Sequence, residues 1–282
     1  MAQLMRAPTI CFNPKLFPKH PRNRMALNAN NMTSSLNNNT NNRKLPILLF
    51  DIMDTIVRDP FYHDIPAFFR MSFKELIECK HPTAWIEFEN GVINEEELAG
   101  KFFKDGRPFD LEGLKNCMRR GYSYIDGIEQ LLQALKQNNY EMHAFTNYPI
   151  WYKIIEDKLN ISNYLSWTFC SCMYVSASVD VHVRERRCLL LVSDLILACV
   201  GKRKPDPYFY LAVVEHLKVD PVSCIFIDDR IKNVEAAVGI GITGLHFKNP
   251  DLLRQDLERL GVDISIDGHV SENQLKPAEG QT

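Results

Sequence analysis

The sequence predicts an α/β fold, a Rossmann-like parallel sheet of about five strands with a small helical cap inserted after the first strand. Two observations predict it. Short apolar runs of strand length alternate with longer segments that have helical periodicity. Three of these runs end directly at polar residues, as buried parallel strands do where their carboxyl ends open into a ligand-binding crevice. With 282 residues, 45% of them hydrophobic, the chain can bury one such core and a small second domain.

The first strand and the cap are predicted from the segment after Pro46. Residues 47–50 are too few for a helix and stop at a turn at Asp51, so they are expected to form a buried strand. Residues 61–124 have helical periodicity and no strand alternation, which predicts the cap. One such helical pattern includes five apolar residues: Phe68, Phe69, Phe73, Leu76 and Ile77. Asn94, followed by three glutamates, is the expected N-cap of another helix, with a metal-binding acid cluster as the alternative.

Helices and strands then alternate through the rest of the core, which is expected to comprise residues 45–60 and 125–262. An amphipathic helix at 126–137 leads the chain back to the sheet. The further strands are expected at 140–146, 165–170, 224–227 and 243–247. The further helices are expected at 151–159, 205–217, 231–238 and 251–260. Pro205 predicts the first turn of the second of these helices, because proline is favoured there.

The two ends of the chain differ in composition from the core. Residues 1–44 contain seven Lys and Arg residues and no Asp or Glu, and asparagine dominates 28–42. Such a segment cannot bury enough apolar area to fold alone. It is typical of an organelle transit peptide, with an ordinary disordered Asn-rich tail as the alternative. The polar residues 263–282 are also expected to be disordered.

Residues 174–199 do not fit the alternation of helices and strands. They combine a valine-rich stretch, a cluster of arginines and two short apolar runs, and they separate the third strand from the motif around Lys204. The last apolar run is too short to span a membrane and contains Asp194. We interpret this segment as an atypical insertion within the core that arises by alternative splicing.

Composition and charge favour a small-molecule substrate. The formal net charge is −2, so nothing indicates a nucleic-acid surface or an electrostatic membrane contact. The eight cysteines have no repeated C-x-x-C spacing, which predicts reduced thiols and not a disulfide framework.

Four short pieces in a fixed order carry residues suited to phosphate chemistry. They are Asp51-Ile52-Met53-Asp54-Thr55, Thr146-Asn147, Lys204 before Pro205-Asp206-Pro207, and Asp228-Asp229. Asp51, at the end of the first strand, can attack phosphorus and carry an aspartyl-phosphate, with the Thr55 hydroxyl orienting its carboxylate. Thr146 and the backbone N–H of Asn147 can bind phosphate oxygens, to which Lys204 adds a positive charge.

Three carboxylates meet at this predicted site. Asp228 and Asp229 follow the fourth strand, and with Asp51 they would surround a phosphate dianion that they repel. The cluster therefore requires a cation, and its oxygen ligands are those that Mg²⁺ prefers. Taken alone, Asp228-Asp229 could also be explained as a helix N-cap, and the motif around Lys204 as a turn. The order of all four pieces favours the phosphate site.

The order and spacing of the four pieces resemble the haloacid dehalogenase-like hydrolases over roughly residues 45–260. The resemblance implies a role for each of five residues: Asp51 as nucleophile, Met53 (through its carbonyl) and Asp229 as metal ligands, Thr146 for phosphate and Lys204 for charge. Asp228 is then expected to hold Lys204 or a metal-bound water.

One position departs from the phosphatase pattern of that family. The pattern has an aspartate two residues after the nucleophile, as acid and later base, and this chain has Met53 there. Loss of such an acid typically costs ~10²–10⁴-fold in rate. Asp54, one residue further on, is the expected substitute. Two alternatives remain: a metal-free, dehalogenase-like hydrolysis at carbon, and a catalytically impaired isoform in which the insertion misplaces Lys204.

Three stretches, at 49–61, 144–151 and 201–207, also resemble plant plastid hydrolases that convert flavin mononucleotide to riboflavin. This resemblance implies a phosphatase of the chloroplast stroma with a flavin phosphate ester as its small-molecule partner. Four aromatic residues near the predicted site either stack on a flavin ring or belong to the core: Phe61, Tyr62, Tyr148 and Trp151.

Overall fold

The computed structural model describes residues 43–172 and 202–265, and within them the predicted α/β fold is confirmed. The five strands of its parallel sheet are β1 (Ile47–Phe50), β2 (Met142–Thr146), β3 (Ser166–Cys170), β4 (Cys224–Asp228) and β5 (Thr243–His246). The residues predicted to be an insertion, the N-terminal segment before Arg43 and the tail after Ser265 lie outside the described residues.

The strands lie in the order β3-β2-β1-β4-β5. From β1 the chain runs to β2 and β3 on one side, and it then returns to β4 on the other side of β1. The connections that leave β1 and β4 therefore diverge, and the carboxyl ends of these two strands form the crevice in which open α/β sheets bind ligands. All residues of β1, β2 and β4 are buried, as expected for strands covered on both faces.

The helices within the described residues come in two groups. Five lie between β1 and the return to the sheet: α1 (Asp64–Phe69), α2 (Phe73–Cys79), α3 (Ala84–Glu89), α4 (Glu95–Lys101) and α5 (Leu111–Gly121). Five accompany the sheet: α6 (Ile128–Gln137), α7 (Tyr152–Leu159), α8 (Pro207–Leu217), α9 (Ile231–Gly239) and α10 (Pro250–Arg259). None of these helices has the length and apolar character of a membrane span.

The cap contains shorter helices than its apolar pattern indicated. The predicted run through Phe68 and Phe73 is two helices, because Arg70 adopts a left-handed conformation (φ 54°) after α1. Ser72 then begins α2 with a capping box, in which its side chain and that of Glu75 each accept the other's backbone N–H. The predicted N-cap at Asn94 is confirmed, and it forms the same reciprocal box with Glu97.

Helix α8 begins later than the sequence pattern predicted. Pro207, not Pro205, is its first residue, and the Asp206 side chain caps it by accepting the N–H of Tyr208 at 3.0 Å. Both prolines satisfy the preference for a residue without N–H near a helix start, so only the cap distinguishes them. Lys204 and Pro205 therefore lie in the loop before the helix, at the edge of the crevice.

Alternate residues of β1 enter two different hydrophobic clusters. Leu48 and Phe50 pack in the cluster that includes the cap, whereas Ile47 and Leu49 pack on the opposite face with residues of α8 and β4. Because β1 is held from both faces and paired on both edges, the residue that follows it has a fixed position. That residue is Asp51.

Candidate active site

The carboxyl ends of β1 and β4 bring three aspartates and one lysine together. Asp51 follows β1, Asp228 ends β4, and Asp229 comes next. One carboxylate oxygen from each aspartate lies within 4.8 Å of the others. The Lys204 ammonium lies between two of them, with Nζ 3.0 Å from Asp51 Oδ1 and 2.6 Å from Asp228 Oδ2. Four residues from three separate pieces of the sequence thus meet within one hydrogen-bonded cluster.

Lys204 is held through both its backbone and its side chain. Asn147 forms two hydrogen bonds with its backbone, in which the amide Nδ2 donates to the Lys204 carbonyl and Oδ1 accepts the Lys204 N–H, each at 2.9 Å. Burial alone lowers the pKa of Lys204, but Asp228 and Asp51 outweigh that effect and raise the pKa overall. The side chain of Asn147 therefore positions the backbone of Lys204, a role that the sequence analysis did not predict. Phosphate binding by the Asn147 backbone N–H stays a prediction.

The oxygens of Asp228 already accept several donors. Besides Lys204, they accept the backbone N–H of Arg230 at 2.8 Å and the side-chain amide of Asn233 at 2.9 and 3.0 Å. Asn233 lies on the first turn of α9, which fixes it beside the end of β4. With its lone pairs used in this way, Asp228 is suited to orienting Lys204.

Asp229, unlike Asp228, has a carboxylate oxygen that accepts no hydrogen bond from the described residues. This oxygen, Oδ1, is buried. Burial, with Asp51 and Asp228 adding to it, raises the pKa of this carboxyl to about 7. The Thr55 hydroxyl oxygen accepts the Asp229 backbone N–H at 3.1 Å, so the described contact of Thr55 is with Asp229 and not with the predicted partner, Asp51. A buried carboxylate without donors is the group that a cation would satisfy.

The loop after Asp51 is closed by short contacts. Met53 forms an isolated bridge with Val57, and the Asp54 N–H donates to the Val57 carbonyl at 2.7 Å. Asp54 has a left-handed backbone (φ 54°), and its Oδ1 accepts the Asp59 N–H at 3.0 Å. One oxygen of the Asp54 carboxylate thus holds the loop, and the role of Asp54 as the substitute acid stays a prediction.

A cavity of about 250 Å³ lies between this cluster and the cap. Thr146, the buried last residue of β2, lines it together with Asn147 and three members of the cluster, Asp51, Lys204 and Asp229. The aromatic residues that line it are Phe61, Tyr62, Trp85, Phe102 and Tyr148. Three of the four predicted aromatic residues are among them, whereas Trp151 is a core residue whose indole N–H donates to Glu95 Oε1 at 2.5 Å. The cavity is therefore ionic at the sheet and largely apolar at the cap.

Glu89 is an acidic residue that the cap adds to the cavity. Its Oε1 accepts the Trp85 indole N–H at 3.0 Å, and its Oε2 lies 2.9 Å from Arg203 Nη2 without the angle of a hydrogen bond. Burial raises the pKa of this carboxyl to about 7, although Arg203 opposes the shift. Because Arg203 directly precedes Lys204, this ion contact joins the cap to the catalytic loop.

We expect Glu89→Gln to stabilise the protein more at pH 8 than at pH 5. Glu89 is only 7% exposed. The unfolded chain releases its proton near the ordinary pKa of 4.5, and the folded protein only near 7, so the wild type loses stability as the pH rises between these values. At about 1.4 kcal/mol for each pH unit, the loss reaches ~3 kcal/mol, and an uncharged glutamine removes it. Thermal unfolding at both pH values measures the difference.

The matched control for this variant is Glu96→Gln, which changes an exposed glutamate of the cap helix α4. The control should show the same change in unfolding temperature at both pH values. An equal change at pH 5 and pH 8 for Glu89→Gln would contradict the assignment of Glu89 as a buried carboxyl that resists ionisation.

Sequence reasoning missed the residues that reach the cavity through packing. Asp59, Glu89, Arg203 and Arg230 all line it. Arg203 and Arg230 had a usable signal, since each adjoins a predicted catalytic residue in the chain. Glu89 had none, because its position depends on how the cap packs against the sheet.

Comparison with known proteins gives a consistent result. The family model of the haloacid dehalogenase-like hydrolases matches residues 47–241. The chain is 60% identical over 224 residues to flavin mononucleotide hydrolase 1, chloroplastic, of Arabidopsis thaliana, a match that covers 79% of this chain and 81% of the relative. It is 36% identical over 203 residues to the sesquiterpene phosphatase AstK of Aspergillus oryzae, covering 68% of this chain and 86% of that protein.

Solved structures share the fold at low sequence identity. A predicted HAD-like family hydrolase from Porphyromonas gingivalis matches with a TM-score of 0.55 and 15% identity, covering 77% of this chain and 97% of its own. A HAD family enzyme from Bacteroides thetaiotaomicron, solved in complex with magnesium and inorganic phosphate, matches with a TM-score of 0.51 and 17% identity, covering 73% and 96%. Both likenesses extend over nearly the whole of the solved chain.

Proposed function

The chain belongs to the haloacid dehalogenase-like hydrolases, and on that premise we propose that it hydrolyses the phosphate ester of flavin mononucleotide through an aspartyl-phosphate on Asp51, with Mg²⁺ as cofactor. One observation carries the chemistry. A buried carboxylate at the end of β1 lies 3.0 Å from a buried ammonium ion, at the base of a cavity of about 250 Å³.

Asp51 acts as the nucleophile in this proposal. Its carboxylate attacks phosphorus, the ester oxygen leaves, and water then attacks the phosphorus of the aspartyl-phosphate to restore the carboxylate. Lys204 balances the charge that accumulates on the phosphate oxygens, and it also favours the ionised form of Asp51. Burial raises the pKa of Asp51 overall and Asp228 adds to this effect, while Lys204 opposes it, so the ionised nucleophile depends on Lys204 and on the proposed cation.

The donor set fits a divalent cation bound by oxygen. Asp229 offers a buried oxygen with no partner among the described residues, and Asp51 lies in the same cluster. These two carboxylates and the Met53 carbonyl would hold Mg²⁺. The oxygens of Asp228 accept hydrogen bonds from Lys204 and Asn233, so Asp228 would act on the site through these neighbours. The cation would neutralise the phosphate and the carboxylates around it.

The residues that line the cavity suit flavin mononucleotide. Its phosphate matches the ionic base, and an isoalloxazine ring matches the aromatic residues of the cap side, above all Phe61, Tyr62 and Trp85. Arg230 lines the same cavity and forms no ion pair with another described residue, so its guanidinium is available to an anionic substrate. The relative from Arabidopsis thaliana supports this choice of substrate through its name.

The two alternatives raised by the sequence receive less support. A metal-free reaction at carbon gives no use to the unsatisfied Asp229 oxygen. An impaired isoform would require Lys204 to be displaced, and the described Lys204 lies in contact with both Asp51 and Asp228.

We also propose that the protein acts in the plastid. The acid-free composition of residues 1–44 and the chloroplastic relative support this location. The mature protein is expected to begin between about residues 28 and 44, which the intact mass of protein purified from chloroplasts would measure.

Phosphate release from purified protein tests the proposed function. We expect hydrolysis of flavin mononucleotide with Mg²⁺ and its loss with EDTA, because without the cation the site has an excess of negative charge. Asp229→Asn should raise the Mg²⁺ concentration required by more than the ~10–100-fold that residues one contact removed from a metal typically cost. Pyridoxal phosphate, sugar phosphates and nucleoside monophosphates complete the substrate panel.

The controls for this assay separate the metal from the substrate. Asp157→Asn changes an exposed aspartate of α7 and should leave the Mg²⁺ requirement unchanged. Activity that is indifferent to EDTA would contradict the metal site. Higher turnover of another ester than of flavin mononucleotide would contradict the substrate and leave the phosphatase chemistry in place.

A further inference from the structure

The site as described has a nucleophile, a balancing cation and carboxylates for a metal, but no assigned proton donor. The ester oxygen of an alkyl phosphate leaves as a strongly basic alkoxide unless it is protonated. Met53 takes the position two residues after Asp51, and a thioether has no proton to give. The donor must therefore come from elsewhere in the cavity wall.

Five carboxyl groups line the cavity among the described residues: Asp51, Asp54, Asp59, Glu89 and Asp229. Asp51 and Asp229 have the roles of nucleophile and metal ligand. Glu89 is held on the cap by Arg203 and Trp85. Asp54 and Asp59 remain, and each accepts one backbone N–H through Oδ1. Asp59 is the donor proposed below, and the Asp54→Asn variant tests the alternative.

Asp59 has one oxygen committed and one free. Its Oδ1 accepts the Phe61 N–H at 2.9 Å and so caps the short 3₁₀ turn at Pro60–Tyr62. Its Oδ2 forms no hydrogen bond with another described residue, and the side chain lines the cavity. The loop that carries it is fixed at both ends, since the Asp59 N–H is bound by Asp54 and the side chain by Phe61. This carboxyl is thus preorganised with a free oxygen at the cavity wall.

The charges around Asp59 suit a group that exchanges a proton near neutral pH. Burial raises the pKa of its carboxyl to about 6, and the bond from the Phe61 N–H opposes this. The facing groups are Asp54 and Asp51, which add to the shift, and Arg230 from the start of α9, which opposes it. General acid–base groups work best when their pKa lies near the working pH.

We propose that Asp59 is the general acid and base of this active site, in place of the aspartate that Met53 replaces. The inference rests on the proposed phosphatase function. As an Asp51 oxygen bonds to phosphorus and the bond from phosphorus to the ester oxygen breaks, the proton on Asp59 moves to that oxygen and the alcohol leaves. The Asp59 carboxylate then takes a proton from the water that attacks phosphorus, which releases inorganic phosphate and restores Asp51.

The dependence of the rate on the leaving group tests this role. 4-Nitrophenolate leaves without protonation near neutral pH, whereas the flavin alcohol does not. We expect Asp59→Asn to lower kcat/KM for flavin mononucleotide by ~10²–10⁴-fold, the usual contribution of general acid–base catalysis. The loss for 4-nitrophenyl phosphate should be less than roughly 10-fold, with phenyl phosphate in between, because the need for a proton rises with the basicity of the leaving group.

Two further variants make the result decisive. Asp59→Ser retains an oxygen that can accept the Phe61 N–H, so it repeats the test if the asparagine variant does not fold. Asp54→Asn is the matched control, and it should lower the rates for all three esters by a similar factor. Equal losses for all three esters in both Asp59 variants, or a leaving-group-dependent loss in Asp54→Asn alone, would overturn the proposal.

The assay separates this inference from the function on which it rests. If the wild type releases phosphate from none of the three esters, the phosphatase function itself is contradicted. An active wild type with an unchanged preference among leaving groups in the Asp59 variants would contradict only the role of Asp59.

Discussion

Replacing Asp51 with asparagine is expected to lower phosphate release by roughly 10⁴–10⁶-fold, the range seen when a catalytic nucleophile is removed. The amide has no charged oxygen with which to attack phosphorus, so no aspartyl-phosphate can form. Because Asp51 lies at the base of the cavity and contacts Lys204, the substitution also removes one carboxylate from a crowded anionic cluster. Initial rates of phosphate release at saturating flavin mononucleotide measure the effect.

The folded state should survive this change. Asparagine has the same shape and retains an oxygen that can accept the Lys204 ammonium. It also relieves the repulsion between Asp51 and the neighbouring carboxylates, which is one of the effects that raise the pKa of Asp229. We therefore expect an unfolding temperature equal to or above that of the wild type. Turnover within roughly 10-fold of the wild-type rate would exclude Asp51 as the nucleophile.

Most of the aspartate–lysine cluster could be predicted from the sequence, because its aspartates stand at strand ends. Asp51, Thr146 and Asp228 each close an apolar run, and parallel strands deliver their carboxyl ends to one edge of the sheet. Lys204 lies outside a strand, and only its place in the order of motifs identified it. The sequence does not predict which hydrogen bonds each side chain forms. One example is the Asn147 side chain, which binds the backbone N–H and carbonyl of Lys204.

The cap side of the cavity could not be predicted in the same way. Helical periodicity identifies apolar faces, but it does not say which face meets the sheet and which lines a cavity. Glu89 and Trp85 lie on the same short helix as Phe88, a core residue, and only the packed structure separates their roles. The sequence analysis did not identify Asp59. Its carboxyl became a candidate because packing brought it to the cavity with one oxygen free.

Helix ends could be predicted only where a capping side chain decided them. The predicted N-cap at Asn94 is confirmed, and the structure adds a capping box with Glu97 that was not predicted. The equivalent signal from Ser72 to Glu75 was present and would have divided the apolar run of the cap. For α8, the preference of proline for the first helical turn favoured a start at Pro205. The structure shows that Asp206 is the N-cap and that the helix begins at Pro207.

Replacing Lys204 with methionine is expected to damage both activity and stability. Lys204 is 3% exposed, and its ammonium contacts Asp51 and Asp228, so its loss leaves two buried carboxylates without their cation. Breaking a buried ion pair in this way typically costs 3–5 kcal/mol, which corresponds to a fall of roughly 10 °C in unfolding temperature. Loss of a preorganised charge at the phosphate should lower kcat by a further ~10²–10³-fold. Lys202→Met, two residues earlier, is the matched control and should change neither quantity strongly.

The pH dependence of the Lys204→Met variant distinguishes lost charge balance from lost packing. Without the ammonium, the pKa of Asp51 should rise further above its ordinary value, because Lys204 opposes the effect of burial on this carboxyl. The unfolded chain ionises Asp51 at lower pH, so the instability is fully present above the raised pKa and diminishes as the pH falls through it. The double variant Lys204→Met with Asp51→Asn should recover part of the unfolding temperature, since it removes one of the unbalanced charges. A deficit of equal size at pH 5 and pH 8, or no recovery in the double variant, would show that Lys204 stabilises the fold through packing alone.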